Sequence, residues 1–235
     1  MKGRNLNKTA GSYSLLPPGA RIRWLASFPK SGNTWVRLFM ANLLVAKGRP
    51  LTLQEFSAIP YYTDQGDKKS GTKGIHFGKA HYTYTPEIHG DEKSIYIMRD
   101  PLDIVPSAAD FFGTNLDRMA KEVANDWPRH VNSWLGHCDL VLKYENMPQN
   151  FHTLNQHIGL DRGFHQCHLA ILHSSFDGLR RDEQEHGFGE GSDNSRDGFF
   201  RKGRTGEGRE RLSKSAIKRL TTGLCGEVRE RFRYK

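Results

Sequence analysis

Short apolar runs alternate with amphipathic stretches along most of this chain. Apolar runs of four to eight residues bounded by turn residues are typical of buried strands, whereas an apolar residue every three or four positions is typical of a helix. This pattern predicts strands over 22–27, 75–81, 94–98 and 140–143. It predicts helices over 34–46, 102–112, 116–135, 149–158, 164–173, 175–184 and 213–222.

Three segments do not fit either period. Residues 51–73 read as a loop-rich insertion, and the Gly-rich segment 187–195 reads as flexible. Residues 1–20 lack the apolar centre of a signal peptide and end in Pro and Gly, so we expect a flexible leader there. Residues 21–235 are long enough to form a single domain, which we expect them to do.

The alternation of strands and helices predicts the fold class. Apolar strands that alternate with helices form parallel sheets through right-handed crossovers, and helices then cover both faces. We therefore expect an α/β fold with three layers, α/β/α, around a central parallel sheet, as in the P-loop NTPases. Ligands of such sheets bind at the carboxyl ends of the strands.

Composition and charge narrow the classes of ligand and of location to be expected. The chain of 235 residues carries a formal charge of +9, which favours anionic ligands such as nucleotides. No run of eighteen apolar residues occurs, so we expect no membrane span. The three cysteines form no CxxC pair, so neither a metal site nor a disulfide framework is indicated, and a cytoplasmic location is the plain expectation.

The segment 28–35, with sequence Phe-Pro-Lys-Ser-Gly-Asn-Thr-Trp, turns a predicted strand into a predicted helix. A helix start offers free backbone N–H groups and the positive end of its dipole to an anion. Gly32 permits close approach, Lys30 adds a charge, and the hydroxyl of Thr34 adds a donor. The segment departs from the usual P-loop because Lys30 precedes Gly32. A phosphate cradle is the functional interpretation; an ordinary strand-to-helix turn with a surface lysine is the alternative.

Three further groups of residues lie at the ends of predicted strands or follow the Gly-rich segment. They are Lys79-Ala80-His81, then Arg99 with Ser107 eight residues later, and finally Arg201-Lys202-Gly203. Together with the cradle, and in this order over residues 22–206, they resemble the sulfotransferases that use 3′-phosphoadenosine 5′-phosphosulfate (PAPS) and release 3′-phosphoadenosine 5′-phosphate (PAP). The likeness implies a sulfonate transfer to a hydroxyl or amine of a small-molecule acceptor, without a metal.

The resemblance also assigns cofactor contacts. It implies that the 5′-phosphosulfate is held by Lys30, Ser31, Gly32, Asn33 and Thr34. It implies that the adenine is lined by Trp35, Tyr144, Ser174 and Phe176. It implies that the 3′-phosphate is held by Arg99, Ser107, Arg201, Lys202 and Gly203.

The same resemblance makes His81 the catalytic base, with Lys30 and Lys79 as catalytic lysines. An imidazole with a reference pKa of about 6.5 can accept the proton of an acceptor hydroxyl. A lysine ammonium can stabilise the charge that develops on the departing phosphate oxygen. Ala80 stands where the family often has Thr, and the Gly-Asp-Trp that often follows Arg-Lys-Gly is missing here.

Two other function classes remain open from the sequence. A nucleotide kinase or other P-loop phosphotransferase would need a metal-binding acid, for which Asp100 is the best placed residue. A basic nucleic-acid-binding protein would suit the net charge, but no specific nucleic-acid motif is present. The acceptor is expected to lie against residues 51–73 and 113–132. Aromatic residues for its walls would be Tyr61, Tyr62, Phe111 and Phe112.

Overall fold

A computed structural model defines the fold. It describes residues 21–44, 48–59, 62–63, 75–91, 94–158, 162–191 and 198–235. The predicted leader, Tyr61 and the whole of the segment 64–73 lie outside the described residues, as does the end of the Gly-rich segment.

Five strands are present in the described part of the chain, and all of their pairings are parallel. The strands are β1 Arg21–Ser27, β2 Tyr62–Thr63, β3 Ile75–Ala80, β4 Ser94–Met98 and β5 Cys138–Lys143, in the order β2-β3-β1-β4-β5. The register pairs Ala26 with Ala80 and Ser27 with Ile97. The carboxyl ends of β3, β1 and β4 therefore lie side by side at one edge of the sheet.

Helices pack on both faces of this sheet. Within the described residues they are α1 Asn33–Leu44, α2 Leu53–Ala58, α3 Pro86–His89, α4 Pro101–Phe112, α5 Leu116–Leu135, α6 Met147–His157, α7 Phe164–His173, α8 Phe176–His186, α9 Glu207–Arg211, α10 Lys214–Thr221 and α11 Gly223–Arg231. None of these helices is both long and apolar enough to cross a membrane.

The alternation of side chains along the strands builds two cores. Trp24 and Ala26 face a core that α4, α5, α10 and α11 cover. Leu25 and Ile97 face the opposite core, where α1, α6 and α7 pack. The predicted α/β/α layering around a parallel sheet is thereby confirmed.

Several short elements depart from the sequence prediction. The segment 51–73 was expected to be loop-rich, but α2 forms within it because Thr52 and Glu55 make a reciprocal capping box at its start. Two further helices, α9 and α11, flank the predicted closing helix. Helices this short have too few turns for an apolar period to stand out, and packing against the domain stabilises them.

Candidate nucleotide-binding site

The turn between β1 and α1 has the backbone geometry of a close-approach loop. Gly32 has a φ of +99°, and a Cβ there would lie 2.7 Å from the ring of Tyr144. Lys30 also has a positive φ, of +66°, which a side chain-bearing residue adopts at a cost. The guanidinium of Arg99 donates to the carbonyl oxygen of Lys30 at 2.9 Å and so braces this strained turn.

Asn33 ties the start of α1 to the end of β1. Its side-chain amide donates to the carbonyl of Leu25 at 2.7 Å and to the hydroxyl of Ser27 at 3.3 Å. Both amide protons are thereby engaged inside the protein. Asn33 also lines the cavity described below, at the start of α1, where the helix dipole favours an anion.

The ammonium of Lys30 lies between two aromatic rings. Its Nζ is 3.9 Å from the ring centre of Phe111 and 4.1 Å from that of Phe199. Burial, together with the nearby charges of Arg99 and Lys79, lowers the pKa of Lys30 from 10.5 to about 7. The site therefore holds a lysine whose charge responds to pH near neutrality and to any anion that arrives.

Arg99 is a buried cation between the turn at Lys30 and the ring of Tyr144. It is 7% exposed, and its guanidinium lies 4.1 Å over the ring of Tyr144. Ser107, which lies in α4, the helix that follows Arg99, lines the same cavity. Arg99 and Ser107 therefore face one shared space.

The loop with Arg201, Lys202 and Gly203 lines the same cavity. Arg201 and Lys202 both pair with Glu207, at 2.6 Å and 3.0 Å. Burial opposes ionisation of this carboxyl, but hydrogen bonds from Arg201 and Arg211 hold the pKa of Glu207 well below its usual value. These basic side chains therefore have an acidic partner of their own, which the motifs did not predict.

Helix α8 holds this loop in place. Glu183 accepts hydrogen bonds from the backbone N–H groups of Phe199 and Phe200, at 2.6 Å and 2.8 Å. Arg180 donates to the carbonyl of Arg201 at 2.5 Å. These bonds place Phe199 over Lys30 and bring the basic loop to the cavity.

Aromatic residues form the predicted adenine side. Trp35 lies edge-on to Tyr144 and Phe176, with ring centres 5.5 Å and 6.1 Å apart. The Trp35 indole N–H donates to the carbonyl of Ser174 at 2.7 Å, which fixes the ring. Ser174 is itself fully buried and acts on this wall only through that carbonyl.

His81 follows β3 and turns back towards β1. Its Nδ1 lies 2.8 Å from the carbonyl oxygen of Ser27 and 3.2 Å from the Ser27 hydroxyl. A proton on Nδ1 can be donated to the carbonyl, which makes Nε2 the basic nitrogen. The ammonium of Lys79 lies 3.3 Å from the carboxylate of Glu190.

Glu190, in the Gly-rich segment, is the site residue that sequence reasoning missed most clearly. Its carboxylate accepts two hydrogen bonds from Arg37, each 2.9 Å, and one from the Thr34 hydroxyl at 3.0 Å. Burial would raise the pKa of Glu190, but Arg37 and Lys79 lower it to about 2. A signal existed in Arg37, which is the one charged residue of α1.

All of the catalytic and cofactor-binding residues predicted from the sequence, except Ser31 and Ser174, line one cavity of about 400 Å³. The predicted residues on its wall are Lys30, Gly32, Asn33, Thr34, Trp35, Lys79, His81, Arg99, Ser107, Tyr144, Phe176, Arg201, Lys202 and Gly203. Phe111 and the half-exposed Phe112 also line it. Tyr61 and the side chain of Tyr62 lie outside the described residues.

Two buried donors at or beside this cavity lack a hydrogen-bond partner in the described part of the chain. The Ser31 hydroxyl and the Arg99 Nε have no hydrogen-bond partner among the described residues. A buried donor without a partner is costly, and an anion's oxygens would satisfy it. Asp100, the acid that the kinase alternative requires, instead caps α4 and forms a two-pronged ion pair with Arg229 at 3.0 Å.

Comparison with known proteins finds a sulfotransferase that is similar in sequence. It is 25% identical over 187 residues to Sulfotransferase 2A2 of Mus musculus, a match that covers 66% of this chain and 65% of that protein. The match thus spans less than two thirds of this relative. No protein-family model matches the chain.

Solved structures agree with the sequence match. The fold is similar to that of mouse sulfotransferase SULT7A1 complexed with PAP, with a TM-score of 0.69, 15% identity, and coverage of 97% of this chain and 94% of that one. It is also similar to retinol dehydratase in complex with androsterone and inactive cofactor PAP, with a TM-score of 0.62, 16% identity, and coverage of 97% and 85%. At these identities the structures establish the fold. Sequence and fold together confirm the predicted resemblance to the sulfotransferase family.

Proposed function

We propose that this protein transfers the sulfonate group of PAPS to a hydroxyl, or an amine, of a small-molecule acceptor. The observation that carries the proposal is convergence: Lys30, Arg99 and Arg201 come from distant parts of the chain and line one cavity. Such an arrangement suits a ligand with an anionic group at each end. The proposed compartment is the cytoplasm, since Cys138, Cys167 and Cys225 are free thiols.

The basic groups divide between the two ends of the nucleotide. Lys30, Ser31 and Thr34 would hold the 5′-phosphosulfate at the start of α1. The 3′-phosphate would be held by Arg99, Ser107 and the loop of Arg201, Lys202 and Gly203. Between these ends, Trp35, Tyr144 and Phe176 would enclose the adenine.

His81 acts as the general base in this proposal. With its Nδ1 proton directed at the Ser27 carbonyl, Nε2 accepts the proton of the acceptor hydroxyl as the hydroxyl oxygen attacks sulfur. A bond forms between that oxygen and sulfur, and the bond from sulfur to the bridging phosphate oxygen breaks. PAPS, when bound, supplies the electrophilic sulfonate and leaves as PAP.

Lys30 offsets the charge that appears on the bridging oxygen. Its low pKa makes the lysine sensitive to that charge, because an anion nearby favours the protonated form. A fixed cation in a partly buried site stabilises developing charge more than a cation in water does. Phe111 and Phe112 on the cavity wall would face the acceptor.

Binding of PAP tests the proposal directly. We expect PAP to raise the melting temperature by mass action, with little or no shift from ATP and magnesium. The opposite pattern would favour the kinase alternative and remove the sulfotransferase proposal. A PAPS-dependent screen over an acceptor library, with products identified by mass, would then name the acceptor.

A further inference from the structure

Glu190 divides its two carboxylate oxygens between two sets of partners. Oε1 accepts both hydrogen bonds of the Arg37 guanidinium, each 2.9 Å. Oε2 accepts from the Thr34 hydroxyl at 3.0 Å and lies 3.3 Å from the Lys79 ammonium. One oxygen thus faces into the protein, and the other faces groups that line the cavity.

The inward-facing half of this arrangement is firmly held. The Arg37 side chain is 7% exposed, and its guanidinium lies 5.0 Å from the ring centre of Phe56. A buried guanidinium needs an anionic partner, because an uncompensated buried charge is strongly destabilising. Glu190 therefore has reason to stay near Arg37 whatever happens at its other oxygen.

The outward-facing half occupies donors that the proposed function needs. Thr34 lies in the first turn of α1, where the helix dipole and a hydroxyl favour an anion. Lys79 lies two residues before His81, at the end of the neighbouring strand. At present a carboxylate of the protein itself satisfies both groups.

The backbone around Glu190 permits a small displacement. Glycines lie at positions 187, 189 and 191, and Gly187 has a φ of +75°. A Cβ added at either Gly187 or Gly189 would meet nothing within 4 Å. Glycine flanks and open space lower the barrier to a local change of the chain path.

We propose that Glu190 is an internal competitor for the 5′-phosphate end of the nucleotide: its Oε2 gives up Thr34 and Lys79 when the nucleotide binds, while Oε1 remains on Arg37. This inference rests on the proposed function. Glu190 is then a positioning residue, which holds Thr34 and Lys79 in the ligand-free protein. Because the nucleotide must displace its Oε2 from these groups, Glu190 weakens nucleotide affinity.

Neutralising the carboxylate tests this competition. In Glu190→Gln the amide oxygen can still accept from Arg37, but the negative charge next to Thr34 and Lys79 is gone. We expect PAP to bind about tenfold more tightly, on the scale of one charge-assisted hydrogen bond. We also expect the ligand-free variant to melt at a lower temperature, because Arg37 loses its ion-pair partner.

A comparison of two ligands shows at which end of the nucleotide the substitution changes the affinity. Isothermal titration with PAP and with adenosine 3′-monophosphate separates the two ends of the site, since only PAP carries a 5′-phosphate. The gain in Glu190→Gln should appear with PAP and be absent with the 3′-monophosphate. Glu185→Gln, a substitution of the same charge on an exposed position of α8, is the matched control and should leave both affinities unchanged.

The outcomes separate cleanly. Unchanged or weaker PAP binding by Glu190→Gln, or an equal gain with both ligands, would overturn the competition. If Glu190→Gln does not fold, Glu190→Asp replaces it as the test. This variant keeps the charge, but its side chain is too short to reach Arg37 and Thr34 together. We again expect tighter binding of PAP alone, and the absence of that gain overturns the inference. Failure of the wild-type protein to bind PAP is a different result, which would refute the proposed function itself.

Discussion

The Nδ1 atom of His81 lies 2.8 Å from the carbonyl oxygen of Ser27, the last residue of β1. This contact joins the ends of two neighbouring parallel strands, whose register pairs Ala26 with Ala80. It orients the imidazole ring and selects the tautomer with its proton on Nδ1. The position of the proposed base is therefore set by the sheet and does not depend on a loop.

Replacing His81 by Ala should remove transfer while leaving nucleotide binding intact. Loss of a general base lowers kcat by about 10²- to 10⁴-fold, whereas PAP contacts lie elsewhere in the cavity. Steady-state kinetics with PAPS and PAP titration measure the two effects. His165→Ala, at an exposed position, serves as control. Retained turnover in His81→Ala would remove this residue from the proposed role.

The affinity for PAP should fall as pH rises above about 7. Lys30 has its pKa lowered to about 7, so its ammonium loses its proton over this range and with it the attraction for a phosphate. Binding at pH 8 should be accompanied by proton uptake, which titration in two buffers of different ionisation enthalpy detects. Lys30→Arg stays charged and should flatten the profile; an equal slope in both proteins would contradict the assignment.

The same shift predicts how stability depends on pH. Lys30 gives up its proton near pH 7 in the folded protein but near 10.5 in the unfolded chain. Between these values the unfolded state binds more protons, so the Lys30 contribution to the free energy of unfolding increases with pH. Urea unfolding at pH 7 and pH 9 should show this increase in wild type relative to Lys30→Met.

Arg99→Ala should weaken PAP far more than adenosine 5′-phosphosulfate, because only PAP carries the 3′-phosphate. A charge-assisted hydrogen bond contributes about 1.5–3 kcal/mol, so we expect a loss of about 10- to 100-fold for PAP. The affinity for adenosine 5′-phosphosulfate should fall less, because this ligand is affected only through the lost hydrogen bond from Arg99 to the Lys30 carbonyl. Exposed Arg129→Ala is the control for charge. Equal losses for both ligands would undo the placement of Arg99 at the 3′-phosphate.

Gly203→Ala and Gly206→Ala form a matched pair of substitutions. Both glycines have positive φ, +62° and +89°, but a Cβ on Gly203 would lie 2.4 Å from the Phe176 ring, whereas on Gly206 it would meet nothing within 4 Å. Gly206→Ala should therefore cost about 1 kcal/mol of unfolding free energy from backbone strain. Gly203→Ala should cost about 1–3 kcal/mol more from overpacking and should also weaken PAP binding. Equal costs in denaturant titrations would contradict the contact with Phe176.

Much of the site was predictable because its residues follow strand ends. Lys30, His81 and Arg99 each come shortly after an apolar run, and parallel strands present such positions at one edge. The order of motifs likewise pointed to the sulfotransferase resemblance. The short helices α2, α9 and α11 were missed, since they carry no sustained apolar period.

What the sequence by itself determined was the class of fold and the donors for an anionic ligand, because apolar periodicity and turn chemistry are local properties of the chain. Only the tertiary structure decided how those donors are partnered. Glu190 lies 156 positions after Thr34, and Phe199 lies far along the chain from the Lys30 it covers. Burial by distant segments sets the pKa of Lys30, and long-range ion pairs hold the Glu190 carboxylate at the cradle. No local sequence pattern encodes which distant segments will meet.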